Sequence, residues 1–174
     1  SEIITEGVHD PGILKCVFMG GGAGSGKSFV VQSLFGIGKQ NLASFSSFGL
    51  KLVNSDTAFE NLLAKNGISS KDLARLEKED PDLYNYISGR DGDGVIRTKA
   101  TKLTQTAQNF YEAGRLGMII DGTGKDFNKI QSQRQHAMDM GYDCYMVFVN
   151  TSLEVAMARN RKRDRTLPDD VVID

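Results

Sequence analysis

The feature that most constrains this chain is a glycine-rich stretch at residues 20–28, Gly-Gly-Gly-Ala-Gly-Ser-Gly-Lys-Ser, which contains the pattern G-x-x-x-x-G-K-[ST] from Gly21 to Ser28. The apolar run before it, residues 13–19, predicts a buried strand, and residues 28–35 predict a helix. A glycine-rich turn between a strand and a helix places an anion at a helix N-terminus, where the dipole stabilises it. The stretch therefore predicts a phosphate-binding loop in an α/β fold.

The residue types in this loop indicate how it would bind a nucleotide. Lys27 supplies a positive charge for the β- and γ-phosphates, and the Ser28 hydroxyl is a ligand for Mg²⁺. Backbone N–H groups of the loop turn inward around the phosphates. We expect ATP as the nucleotide, with GTP as the less favoured alternative, and Mg²⁺ as the metal. The residues predicted to bind it are Gly22, Ala23, Gly24, Ser25, Gly26, Lys27, Ser28 and Phe29.

Composition indicates an ordinary globular domain. The chain has 174 residues, of which 40% are hydrophobic and 25% are charged, so we expect a single domain over residues 1–174. The net charge of −1 gives no overall basic surface for nucleic acid, although a local channel stays open as an alternative. Cys16 and Cys144 each fall in a predicted buried strand, and two cysteines form no disulfide framework. We therefore expect a cytoplasmic protein without a membrane segment. The sequence does not indicate an oligomeric state.

Strand and helix signals alternate along the chain. Further strands are predicted at residues 50–53, 116–120 and 142–149. This alternation favours a three-layer α/β architecture, in which an open, mainly parallel sheet carries helices on both faces. A long helix is predicted from Val95 to Gly114. Its apolar stripe is expected to face the core, and consists of Ile96, Ala100, Leu103, Ala107 and Phe110.

Two acidic residues lie just after predicted strands, at the edge where open parallel sheets bind their ligands. Asp56 could take the proton from an attacking hydroxyl, or it could be the N-cap of a helix that begins at Thr57, with Thr57 and Glu60 as a capping box. Asp121 ends an apolar strand, where a carboxylate could hold Mg²⁺ or its water shell. The alternative is a turn aspartate at the end of a strand.

An arginine cluster follows in the last predicted helix. Arg159 and Arg163 lie four residues apart and share one helix face, whereas Arg161 and Arg165 share another. Two guanidinium groups on one face could hold a phosphoryl group during its transfer. The alternative is a solvated basic helix end, which the helix dipole favours.

These segments together resemble the P-loop kinases of the zeta-toxin and polynucleotide-kinase group. The resemblance covers most of residues 13–172, in the same order. The segments that carry it are Gly21 to Ser28, Asn54-Ser55-Asp56, Ile119-Ile120-Asp121-Gly122-Thr123, and Arg159-Asn160 with Arg163 and Pro168-Asp169.

The resemblance implies a role for each motif residue. It implies that Asp56 is the general base, that Lys27, Arg159 and Arg163 are catalytic, and that Arg159 and Arg163 belong to a lid at residues 159–168. It also implies that Ser28 and Asp121 serve the metal, and that Asp56, Asp121 and Thr123 meet the substrate. These residues and ranges are expectations carried over from the family.

The acceptor is the least specified part of this prediction. Ala58, Phe59 and Glu60 stand where polynucleotide kinases of the group have an arginine, and this departure weakens the case for a polynucleotide acceptor. The helical stretch at 57–94 looks more like a zeta-type substrate-side insertion. The expected function is transfer of the γ-phosphoryl group to a hydroxyl of a nucleotide sugar or of a nucleic-acid 5′ end. A small nucleoside or nucleotide acceptor, and an ATPase or switch module without an acceptor, are the alternatives.

Overall fold

The structure is a computed structural model that describes residue 10 and residues 12–22, 25–36, 49–89, 92–122 and 126–161. Over these ranges the chain forms four strands, which are β1 (Lys15–Gly20), β2 (Lys51–Val53), β3 (Met118–Asp121) and β4 (Asp143–Phe148). The helices of the same ranges are α1 (Lys27–Phe35), α2 (Ser55–Lys65), α3 (Ser70–Glu79), α4 (Pro81–Ile87), α5 (Val95–Ala113), α6 (Phe127–Asp139) and α7 (Leu153–Arg161). None of these helices is long and apolar enough to cross a membrane.

The four strands form one parallel sheet in the order β2-β3-β1-β4. The register places Met19 of β1 beside Asp121 of β3, and Val53 of β2 beside Ile120. Because all the strands run in the same direction, their carboxyl ends meet at one edge of the sheet. The predicted open parallel sheet is confirmed.

Both faces of the sheet are covered by helices. Phe18 packs on one face in a cluster that includes Ala137 of α6. The next residue, Met19, points to the other face and packs with Val31 of α1. Because successive side chains of a strand point to opposite faces of the sheet, β1 contributes to two apolar layers. The predicted three-layer α/β architecture is confirmed.

A separate apolar cluster holds the helices that follow β2. Its buried members are Phe59, Leu63, Leu73, Ile87 and Ala100, contributed by α2 to α5. Helices α3 and α4, and all but the first two residues of α2, fall within the predicted insertion at 57–94, whose role as a substrate-side element stays a prediction.

The predicted core stripe of α5 is wrong in part. Ala100 is buried in the helical cluster, but Leu103 and Phe110 are exposed. Gln108, which the stripe did not include, is buried instead and donates a hydrogen bond to Glu112. The core-facing side of α5 is thus rotated away from the side that its apolar residues indicate.

Strand β4 is also less buried than predicted. It lies at the end of the described sheet, where β1 is its strand neighbour. Tyr145, Met146 and Phe148 are exposed, and Cys144 is only half-buried. The apolar sequence of β4 correctly predicted a strand but not its position at the end of the described sheet.

Candidate active site

The glycine-rich loop connects the end of β1 to the start of α1, as the sequence predicted. Gly21 has φ +142°, and a Cβ at this position would lie 2.5 Å from the carbonyl oxygen of Val149. Gly26 is the N-cap of α1 with φ +97°. Both positions therefore favour glycine, because a side chain would be strained at either one and would collide with backbone at Gly21. Ala23 and Gly24 lie outside the described residues.

Lys27 is the first residue of α1, and its side chain folds back over the loop. The Lys27 Nζ donates a hydrogen bond of 2.6 Å to the carbonyl oxygen of Gly21. Ser28 and Phe29 follow in the first turn of the helix and are both exposed. Ser25 is buried, and its Oγ has no hydrogen-bond partner within the described part of the chain. The loop thus combines one cation, one exposed hydroxyl and one buried hydroxyl at a helix N-terminus.

The end of β3 lies against the end of β2 through a side-chain hydrogen bond. The Asn54 Nδ2 donates to Asp121 Oδ2 over 2.7 Å. Asn54 follows directly after β2, and the register of β2 with β3 places it beside Asp121. Asn54 therefore fixes the orientation of the carboxylate that the sequence predicted to serve a metal.

The environment of Asp121 disfavours its charged form. Burial raises the pKa of the Asp121 carboxyl above its ordinary value, and the nearby Asp56 charge raises it further. The Lys27 charge and the hydrogen bond from Asn54 oppose this rise. Asp121 Oδ1 is buried and has no hydrogen-bond partner among the residues that the structure describes. A carboxylate held in this way is stabilised by a cation.

The residues present fit a magnesium ion. Mg²⁺ is usually bound by one or two protein oxygens, with phosphate oxygens and water as the remaining ligands. The unpartnered Asp121 Oδ1 and the exposed Ser28 hydroxyl are oxygens of this kind. In residues 12–22, 25–36, 49–89, 92–122 and 126–161 there is no group of three or more His, Cys, Asp or Glu side chains placed to hold a metal. A magnesium ion at Ser28 and Asp121 would therefore share the phosphates of a bound nucleotide.

Asp56 is not the N-cap of its helix. Helix α2 begins at Ser55, two residues earlier than predicted, and Asn54 is its N-cap. The Asn54 Oδ1 accepts hydrogen bonds from the backbone N–H groups of Asp56 and Thr57, at 2.7 and 3.4 Å. The predicted capping box of Thr57 and Glu60 is therefore wrong. Because Asn54 already caps the helix, the Asp56 carboxylate is available for another role.

That carboxylate contacts an arginine that the sequence analysis did not single out. The Arg97 Nη1 donates a hydrogen bond of 2.7 Å to Asp56 Oδ1. Arg97 lies in the first turn of α5, 41 residues further along the chain. No local sequence signal joins these two positions, because the pairing depends on how α2 and α5 pack.

Arg159 reaches the phosphate-binding loop. Its Nη1 donates a hydrogen bond of 2.9 Å to the carbonyl oxygen of Ser25, although it belongs to α7 at the other end of the described chain. Arg161 is exposed. Arg163 and Thr123 lie outside the described residues, and their predicted roles stay predictions. The role of Arg159 on the phosphates likewise stays a prediction, and its contact with the loop supports it.

The structure thus brings together, at one sheet edge, Lys27, Asn54, Asp56, Arg97, Asp121 and Arg159. Lys27, Asp56, Asp121 and Arg159 are candidate site residues from the sequence, whereas Asn54 stood there only within a motif and Arg97 was not among the candidates. Asn54 carried a usable signal, since asparagine before an apolar helix is a favoured N-cap. Arg97 carried none.

Comparison with protein families agrees with this geometry. A family model described as an AAA domain matches residues 16–173. The chain belongs to this AAA domain family. Comparison of the AAA domain with curated proteins finds no match.

A solved structure of similar fold comes from work on the PezAT chromosomal toxin-antitoxin system of the human pathogen Streptococcus pneumoniae. It superposes with a TM-score of 0.55 at 14% sequence identity, over 84% of this chain and 51% of that chain. The AAA domain described here thus spans about half the length of that solved chain. At the level of the fold, the predicted resemblance to the zeta-toxin and polynucleotide-kinase group is confirmed.

Proposed function

We propose that this protein is an ATP-dependent kinase that transfers the γ-phosphoryl group to a hydroxyl of a second substrate. The observation that carries the proposal is the convergence of three kinds of group at one sheet edge. The three groups are a phosphate-binding loop with Lys27, a half-buried carboxylate at Asp121 and a more exposed carboxylate at Asp56. Each is positioned by a different strand or helix. Phosphoryl transfer needs such alignment and charge neutralisation more than it needs covalent help from protein.

In this proposal the residues divide into two sets. The first set binds and neutralises the nucleotide, and comprises the loop from Gly22 to Phe29, Lys27 and Arg159, together with Arg163 from the predicted lid. Positive charges and N–H donors directed at the transferring group stabilise the charge that its oxygens carry in the transition state. A magnesium ion held by Ser28 and Asp121 would supply further neutralisation of the phosphates when bound.

The second set prepares the acceptor. Asp56 accepts the proton of the attacking hydroxyl as the hydroxyl oxygen forms a bond to the γ-phosphorus. The bond from that phosphorus to the oxygen that bridges the β- and γ-phosphates breaks, and ADP leaves. Its side chain is 60% exposed, so an acceptor can approach it from solvent. The bond to Arg97 engages one carboxylate oxygen, Oδ1. Asp121 and Thr123 complete the acceptor side of the site in this proposal.

We propose a nucleotide sugar, such as UDP-N-acetylglucosamine, as the acceptor, and a nucleic-acid 5′-hydroxyl as the alternative. The helices α2 to α4, which begin at the Asp56 end of the site, support the first choice, because a compact polynucleotide kinase would not need this additional helical segment. In keeping with the absence of a disulfide framework, we place the protein in the cytoplasm.

The proposal is tested by a transfer screen. The protein is incubated with γ-labelled ATP and Mg²⁺ in the presence of UDP-N-acetylglucosamine, a nucleoside or a 5′-hydroxyl oligonucleotide. Label transferred to any acceptor supports the kinase. Release of labelled inorganic phosphate alone, at a rate that no acceptor changes, contradicts it and favours an ATPase or switch module.

A further inference from the structure

The ion pair between Arg97 and Asp56 joins the first turns of two helices at the proposed acceptor site. The guanidinium of Arg97, on α5, donates its 2.7 Å hydrogen bond to the carboxylate of Asp56, on α2. The two side chains differ in environment, because Arg97 is 22% exposed and Asp56 is 60% exposed. The arginine is thus the more fixed partner, and the carboxylate is the one open to solvent.

An aromatic ring supports the guanidinium from one side. The Arg97 Cζ lies 5.1 Å from the centroid of the Phe59 ring, and Phe59 itself is fully buried. Arginine stacks on an aromatic face while the N–H groups in its plane remain able to bind an anion. Within the described ranges the guanidinium makes one hydrogen bond, to Asp56, out of five N–H donors. As far as the described residues extend, Arg97 is therefore a cation that is stacked on an aromatic ring and has N–H donors without a partner.

Stability of the fold does not account for this arrangement. Helices α2 and α5 already pack through Leu63 and Ala100, which are both buried. An ion pair with an exposed partner typically adds only ~0–1 kcal/mol to stability. A long arginine stacked on a core ring and directed at an exposed carboxylate is thus more than the helix contact requires.

The charges around Arg97 indicate its function. The Asp56 carboxylate is 60% exposed, so an anionic acceptor whose hydroxyl approaches it would be repelled by its charge. Lys27 and Arg159 contact the backbone of the phosphate-binding loop, on the nucleotide side. Among the described residues, Arg97 is the cation that contacts Asp56.

We propose that Arg97 binds an anionic group of the acceptor, a phosphate or a carboxylate, and thereby selects anionic acceptors whose hydroxyl lies within reach of Asp56. This inference rests on the proposed kinase function. The planar guanidinium can bridge the Asp56 carboxylate and the acceptor anion, which a lysine cannot do with the same geometry. Arg97 is thus a specificity-determining residue from α5, in a site whose Asp56 is followed by no arginine along α2.

The test compares Arg97→Gln and Arg97→Lys with wild type on acceptors of different charge. The acceptors are UDP-N-acetylglucosamine and uridine 5′-monophosphate, which are anionic, and uridine and N-acetylglucosamine, which are neutral. Arg75→Gln is the matched control, because Arg75 also pairs with carboxylates but lies on the exposed side of α3. Thermal melting checks that each variant is folded.

We expect Arg97→Gln to raise KM for the anionic acceptor about 10–100-fold, the range that charge-assisted hydrogen bonds contribute, and to leave kcat within about threefold. Arg97→Lys should recover part of the loss, and Arg75→Gln should change nothing. Binding of UDP-N-acetylglucosamine, measured by calorimetry with a non-hydrolysable ATP analogue present, should weaken by the same factor.

Four results would overturn the inference. A fall in kcat with unchanged KM would mean that Arg97 only orients Asp56. An equal rise of KM for neutral acceptors in Arg97→Gln would contradict the selection of anionic acceptors but not the kinase proposal. Transfer by wild type to neutral acceptors alone would do the same. Hydrolysis of ATP by wild type without transfer to any acceptor would contradict the kinase proposal itself, and the role of Arg97 with it.

Discussion

Replacement of Asp121 by asparagine should stabilise the ligand-free protein while abolishing its turnover. The Asp121 carboxylate has one buried oxygen without a hydrogen-bond partner among the described residues, and burial raises its pKa. Asparagine keeps nearly the same shape and can still accept the hydrogen bond from Asn54. The substitution therefore removes the charge that burial penalises and retains the contact between β2 and β3.

The size of the effect follows from the buried charge. A buried neutral polar group without a partner costs about 1–3 kcal/mol and a charged one costs more. Asparagine keeps the neutral cost, because its amide nitrogen takes the place of the unpartnered oxygen, and the attraction between Asp121 and Lys27 offsets part of the difference. We therefore expect a net gain of about 1 kcal/mol, which raises Tm by about 2–4 °C for a chain of this length.

The gain in Tm of Asp121→Asn over wild type should increase with pH. Because the pKa of Asp121 is raised on folding, the native state binds more protons than the unfolded state between the two pKa values, and wild-type stability falls as pH rises through that window. The penalty is absent below the unfolded pKa of about 3.9 and complete above the folded pKa. Asp121→Asn should therefore exceed wild type in Tm at pH 7, and the difference should disappear near pH 3–4.

The assay is thermal melting in EDTA across this pH range, with Glu77→Gln as the control. Glu77 is exposed on α3, so the same change from carboxylate to amide should have no effect on Tm there. A loss of stability in Asp121→Asn at pH 7, or a gain that is the same at every pH, would refute the reasoning. Addition of ATP and Mg²⁺ should stabilise wild type more than the variant.

Other variants test individual parts of the site. Lys27→Ala should abolish measurable turnover with the fold intact, because Lys27 serves the ligand; circular dichroism and a turnover assay check this, and near-wild-type transfer would contradict it. Arg159→Ala should lower kcat strongly, since arginines on a transferring phosphoryl group contribute ~10³–10⁵-fold, whereas Arg161→Ala should cost little. Arg163→Ala should resemble Arg159→Ala, and Arg163→Lys should restore part of the rate because it keeps the charge but not the planar fork. Equal kcat values for the Arg161→Ala and Arg163→Ala variants would mean that the arginine cluster is only a solvated basic helix end.

The loop and the sheet could be predicted from sequence because their signals are local. The pattern from Gly21 to Ser28 demands particular backbone conformations, and the φ values of Gly21 and Gly26 are of the kind that glycine supplies. The strands could similarly be predicted from their apolar composition. These features depend on residues that are neighbours in the chain, so one sequence is sufficient to predict them.

Contacts between distant segments could not be predicted in the same way. The hydrogen bond from Arg97 to Asp56 depends on the packing of α2 against α5, and that from Asn54 to Asp121 depends on the order of strands in the sheet. The prediction of the core-facing side of α5 was also wrong in part, because helical periodicity identifies an apolar stripe but not the neighbouring element that covers it. Leu103 and Phe110 on that stripe are exposed.

The central claim is that Asp56 activates an acceptor hydroxyl, and the most direct measurement is phosphoryl transfer by Asp56→Asn. The variant keeps the shape of the side chain, and Asn54 continues to cap α2. We predict that transfer of labelled phosphate from ATP to the acceptor falls ~10²–10⁴-fold, the contribution of a positioned general base, while ATP affinity changes little. Transfer at the wild-type rate per folded molecule would contradict the account.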